Sequence, residues 1–107
     1  MREILDLTQD SPLTRRRWFH DDYFDLFVSQ ASGGALQGFQ LCYGLTSGER
    51  ALVWERERGY FHDGANPLKP ETIARRFAAV AHQLPGEVAR EVGERLREYA
   101  AQGAAAP

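Results

Sequence analysis

Two runs in the first half of the chain alternate apolar and polar residues with a period of two, and a glycine pair separates them. Tyr23 to Gln30 reads YFDLFVSQ and Leu36 to Tyr43 reads LQGFQLCY. Alternation of this kind sends successive side chains to opposite faces of a strand, so each run predicts a strand with one buried face. Between them Ala31-Ser32-Gly33-Gly34 supplies a hairpin loop whose glycines can take positive φ. Setting Gln30 opposite Ala35 brings Val28 to Gln37, Leu26 to Phe39 and Phe24 to Leu41. Phe24, Leu26 and Val28 then share a face with Phe39, Leu41 and Tyr43. A slip of one residue would turn one of these sets to the other side.

The same face grows through the next run. Arg50 to Arg56, reached through GLTSGE, predicts a strand with Tyr43 opposite Arg50, Leu41 opposite Leu52 and Phe39 opposite Trp54. After the turn at Glu57-Arg58-Gly59, the segment Tyr60-Phe61-His62 has two registers open to it. A two-residue turn puts Phe61 on the core face, whereas a type I turn with a glycine bulge puts Tyr60 and His62 there. Arg17-Trp18-Phe19 predicts a further strand, and Ile4 to Leu7 predicts either an edge strand or a cover over one end.

Near residue 65 the chain changes character, from aromatic and β-branched runs to Ala, Glu and Arg at helical spacing. Pro70 suits the first turn of a helix, and Ile73, Phe77, Val80, Ala81 and Leu84 fall on one face. Pro85-Gly86 breaks that helix, and Val88, Val92, Leu96 and Tyr99 repeat the pattern. The expected class is α+β: an antiparallel β-meander of four to five strands over about 1–63, then a C-terminal helical hairpin packed on one sheet face. The helices are expected over about 70–84 and 86–101, within a single domain 1–102. The closing AAQGAAAP is low in complexity, and 103–107 is expected to be a disordered tail.

With 107 residues the chain can bury one core without metals or disulfides. No run approaches the roughly 20 apolar residues of a membrane span. MREILDLTQD carries acids where a signal peptide would carry a basic and then an apolar stretch, so the expected location is cytoplasmic. Cys42 is the sole cysteine, which excludes an intramolecular disulfide, and within FQLCY it reads as a small buried apolar residue. The formal charge of −2 offers no global attraction to nucleic acid. Twelve arginines against one lysine, Lys69, with abundant Ala and Gly, is what a GC-rich genome produces, so the arginines alone do not indicate phosphate binding.

No catalytic or cofactor motif is present: no GxGxxG after a strand, no Walker loop, no GxSxG, CxxC or HExxH. No cofactor is therefore expected. Two His/Asp groups remain, His20-Asp21-Asp22 and His62-Asp63, at places a meander could bring to one end of the sheet. Converged, His20, Asp22 and His62 could act as an acid/base set, and with Asp63 they could hold a divalent metal. The simpler reading is that Asp21, Asp22 and Asp63-Gly64 form turns. Arg15-Arg16-Arg17 beside Trp18-Phe19 could hold single-stranded nucleic acid by charge and stacking, but Asp21, Asp22 and Asp25 offset that field.

The face opposite the proposed core carries Tyr23, Asp25, Phe27, Gln40, Cys42, Val53 and Glu55, with Phe27 expected across from Gly38. It is too apolar for a purely solvated surface. Tyr23, Phe27 and Val53 therefore mark a partner or self-association surface, unless an N-terminal arm with Ile4, Leu5, Leu7 and Leu13 folds over it.

The runs RRRWFHDDYFDLFV, GFQLCYG and ERALVWERERGYFH, with the closing LP-helix, resemble a small uncharacterised bacterial protein family over Arg15 to Tyr99. The resemblance implies a free-standing bacterial cytoplasmic protein and carries no activity, ligand or catalytic residue. The leading expectation is a non-enzymatic binding or assembly domain, homodimeric through the back or edge of its sheet. The alternatives are a small metal-dependent or acid/base enzyme and a nucleic-acid binder using Arg15 to Arg17.

Overall fold

The computed structural model describes residues 1–5, 9, 13–44, 48 and 50–105, with backbone alone for 103–105. The chain divides into two units, Met1–Ala65 and Asn66–Pro107, at the point where the sequence passes from strand to helix character. Among the described residues the first unit is an antiparallel meander of six strands whose spatial order follows the chain: β1 (Arg2–Ile4), β2 (Thr14–His20), β3 (Phe24–Ala31), β4 (Leu36–Tyr43), β5 (Arg50–Glu55) and β6 (Gly59–Asp63). The strand beyond the expected four to five is β1, which sets Arg2 opposite His20 and Ile4 opposite Trp18. Ile4 thus belongs to an edge strand; Leu7 lies outside the described residues. Beyond β1, among the described residues, the Gln9 side chain meets the edge of β2. The Gln9 amide accepts from the Arg16 N–H at 2.8 Å and donates to the Arg16 carbonyl at 2.9 Å, imitating a strand pair.

The alternation decides the faces as expected. Phe24, Leu26, Val28, Phe39, Leu41, Tyr43, Leu52 and Trp54 are all buried, joined by Phe19 from β2. The β4–β5 register is the expected one: Tyr43 opposite Arg50, Leu41 opposite Leu52, Phe39 opposite Trp54. The β3–β4 register is not. Phe24 stands opposite Tyr43, Leu26 opposite Leu41 and Val28 opposite Phe39, two residues away from the pairing read in the sequence. Ala31 belongs to the strand, closing a tight turn with Ala35 in which Gly34 takes φ +94°. A bulge at Gln37 adds the second step of the shift, between the pairs Gln30–Leu36 and Ser29–Gly38. The carbonyls this bulge turns outward are taken by Arg56: its guanidinium donates to the Leu36 oxygen and its N–H to the Gln37 oxygen. A two-residue shift preserves which face each side chain takes, so the core is unchanged.

At the last hairpin Tyr60 stands opposite Trp54 and His62 opposite Leu52, the second of the two open registers, with Gly59 at φ +81°. Phe61 consequently lies on the other face and is 51% exposed.

In the second unit α1 spans Pro70–Val80 with proline in its first turn, and a single 3-10 turn, Ala81–Gln83, follows. Leu84 is extended (ψ 156°), as the residue before Pro85 must be, and α2 runs Gly86–Ala105. Ile73, Phe77, Leu84, Val88, Val92 and Leu96 are buried. The helical backbone continues through Gly103 to Ala105. Alanine is the best helix former, and one glycine costs only about 1 kcal/mol.

Candidate functional site

The back of the sheet, opposite the buried face, is ordered in rows that run across the strands. Directly paired residues point to the same side, so the registers can be read across. The central row is Ile4, Trp18, Phe27, Gln40, Val53 and Phe61, one residue from each strand. The Trp18 and Phe27 rings stack at 5.4 Å with 19° between planes. Toward one end of the strands the next row is Arg16, Ser29, Gly38 and Glu55. Toward the other end lie Arg2, His20, Asp25, Cys42, Ala51 and Asp63.

Between the first two of these rows the surface sinks into a groove of about 490 Å³. Phe27, Gln40 and Val53 from one row and Arg16, Ser29, Gly38 and Glu55 from the other line it, together with Arg56, Glu57 and Arg58 of the turn after β5. Gly38 is required here: a Cβ on it would sit 2.9 Å from the Trp54 carbonyl oxygen. Ser29, not Phe27, stands across from Gly38, because of the two-residue register shift; Phe27 faces Gln40. Of the arm residues expected to cover this face, Ile4, Leu5 and Leu13 are described and none lies over it. Ile4 extends the row, while Leu5 and Leu13 are 80% and 73% exposed. Of the expected surface residues, Phe27 and Val53 share the central row. Tyr23 lies before β3, its ring edge-on to Phe24 at 4.8 Å, and takes no part in the groove.

The two His/Asp groups do not converge. His20 is on β2 and the back face; His62 is on β6, opposite the core residue Leu52. Four strand spacings separate the two strands, about 19 Å, and the sheet itself lies between the side chains. One site cannot contain both. Asp21 accepts the N–H groups of Tyr23 and Phe24 at 2.8 and 2.6 Å, which is the turn-forming role. Asp22 is exposed in that turn, and Asp63 ends β6. Among the described residues no group of three or more His, Cys, Asp and Glu is arranged to hold a metal ion.

Each histidine has a partner that the sequence reading passed over. One Asp25 oxygen receives the His20 Nδ1–H at 2.6 Å and the Trp18 indole N–H at 2.8 Å, which leaves His20 Nε2 pointing away from that bond. The signal was available: His20 and Asp25 are direct partners once the β2–β3 hairpin is paired. His62 Nε2 meets the hydroxyl of the buried Tyr43 at 2.5 Å, and the Arg50 guanidinium lies 4.8 Å above the Tyr43 ring. Burial, and then the Arg50 charge, lower the His62 pKa against the opposing pull of Asp63, so the neutral ring is favoured beside the Tyr43 hydroxyl.

Strand alternation also divides the arginine run. Arg16 points to the back face, while Arg15 and Arg17 point to the other. Arg17 is engaged by Glu3 through two bonds, Nε to Oε2 at 2.8 Å and Nη2 to Oε1 at 2.7 Å. Those bonds hold the Glu3 carboxyl below its ordinary pKa. Cys42 is buried, as its setting implied, and receives the Gln40 amide at 3.4 Å. No helix among the described residues is long and apolar enough to cross a membrane. Comparison with protein-family models, curated proteins and solved structures finds no match to this chain.

Proposed function

We propose that this chain is a non-enzymatic binding or assembly domain that associates with a second copy of itself through the back face of its sheet. The observation that carries this reading is the central row. Five of its six residues are apolar, it crosses every strand, and its end residue Phe61 is 51% exposed. A row of this kind costs free energy in water and is relieved by burial against a matching surface. A second copy is favoured as the occupant because the back-face strand positions carry opposite charges at the two sides, Arg2 and Arg16 on β1 and β2 and Glu55 and Asp63 on β5 and β6. Five strand intervals make the face about 24 Å wide. The central row and the groove beside it offer a surface of the size of a weak, reversible interface.

Sedimentation equilibrium over a concentration series tests the reading. The expected result is a monomer–dimer equilibrium at micromolar or higher concentration that Phe27→Asp abolishes while the far-UV circular dichroism stays unchanged. A wild-type chain that remains monomeric to millimolar concentration overturns it.

A further inference from the structure

Two rows on the back face carry opposite charges at positions mirrored about the line between β3 and β4. Arg16 on β2 is mirrored by Glu55 on β5 in one row, and Arg2 on β1 by Asp63 on β6 in another. In the central row the mirrored positions are Ile4 with Phe61 and Trp18 with Val53, both apolar. Resting on the reading that the back face seats a second copy, we infer that the two copies are related by a twofold axis parallel to the strands, running between β3 and β4. This operation exchanges β2 with the partner's β5 and β1 with the partner's β6. It therefore sets Arg16 against the partner's Glu55, and Arg2 against the partner's Asp63, each pair occurring twice. No like charges meet.

An in-plane twofold perpendicular to the strands fails on the same residues. It lays β2 on β2 and β5 on β5. Arg16 would then meet a strand whose back-face residues include Trp18, His20 and Arg16 but no acid. Glu55 would meet Ala51, Val53 and Glu55, with no base. That arrangement sets neither charge opposite its complement, whereas opposite charges across an interface fix its register. Two twisted sheets packed face to face cross at about 30°, which displaces outer strands more than inner ones. The Arg16–Glu55 pair, nearer the axis, is therefore the firmer of the two. Glu55 already has a contact with Arg58 at 3.5 Å, but that arginine is 79% exposed and the pair is weak.

The test is a charge exchange read by sedimentation equilibrium, with circular dichroism to confirm folding. Arg16→Glu and Glu55→Arg are each expected to weaken self-association about tenfold or more, since each turns both copies of the pair repulsive. Mixed in equal amounts, the two variants are expected to form a heterodimer within about threefold of wild-type affinity, because each supplies the charge the other lacks. The double variant should likewise self-associate. If the mixture stays as weak as the single variants, or if neither variant weakens a dimer that Phe27→Asp still abolishes, the twofold is wrong while the back-face reading stands. A monomeric wild-type chain overturns both.

Discussion

The two faces of the sheet are built from the same strands, residue by residue in alternation, yet they solve different problems. On the core face Leu26, Leu41 and Leu52 form a row of fully buried aliphatic side chains. On the back face the central row has a glutamine at its middle, aromatic rings on one side and an exposed phenylalanine at its end. Its neighbouring rows finish in opposite charges. A core needs only apolar volume on the correct side, which parity supplies. A contact surface needs order across strands, and that depends on register, bulges and turns. The difference teaches that residues one position apart in the chain answer to different levels of structure.

The largest expected effect separates the faces directly. Leu41→Ala should cost about 2–5 kcal/mol of unfolding free energy in guanidinium titrations. Val53→Ala, on the adjacent strand and the other face, should cost the monomer under about 1 kcal/mol. Equal losses would erase the distinction. Next is Gly38, whose backbone belongs to the groove but whose missing Cβ is excluded by the Trp54 carbonyl. Gly38→Ala should lower stability by about 1–3 kcal/mol in thermal melts, because backbone must move to admit the methyl group.

The Tyr43–His62 contact gives a smaller effect with a definite sign. Tyr43→Phe should cost about 0.5–1.5 kcal/mol near neutral pH. The folded pKa of His62 lies below its ordinary 6.5, so on acidification the unfolded chain takes up its proton first. The His62 contribution is full above pH 6.5 and is lost as the pH falls from there toward the folded pKa. His62→Gln should flatten that segment of a stability–pH curve; an unchanged slope would remove His62 from the account. The smallest effect belongs to Glu3. Glu3→Gln should cost under about 1 kcal/mol, since the pair with Arg17 is partly solvated. Its contribution is present above pH 4.5 and is lost as the pH falls through the lowered folded value, which acid titrations of wild type and variant would compare.

Much of the fold was legible because alternation fixes the face of each residue in β3, β4 and β5. The β3–β4 pairing was not, since a shift of two residues keeps every face. The bulge that sets it is held by Arg56, whose place beside Leu36 and Gln37 depends on β5. The helices were legible to within a turn from apolar spacing and from Pro70 and Pro85. Of the candidate site, Phe27 and Val53 were readable as back-face residues from parity alone. The row joining them to Ile4 and Phe61 needed the edge-strand registers, which weak local patterns leave open. The histidines misled for the same reason: Asp25 and Tyr43, their partners, become neighbours only when strands are paired.

The chain has two tryptophans, one for each face: Trp18 half-buried in the back row and Trp54 buried in the core. Their indole N–H signals in a ¹H–¹⁵N spectrum, followed through a dilution series, report on the two faces separately. The account predicts that the Trp18 signal shifts with concentration and the Trp54 signal holds still. A Trp18 signal that stays fixed while the molecule self-associates would contradict it, and so would a larger shift at Trp54.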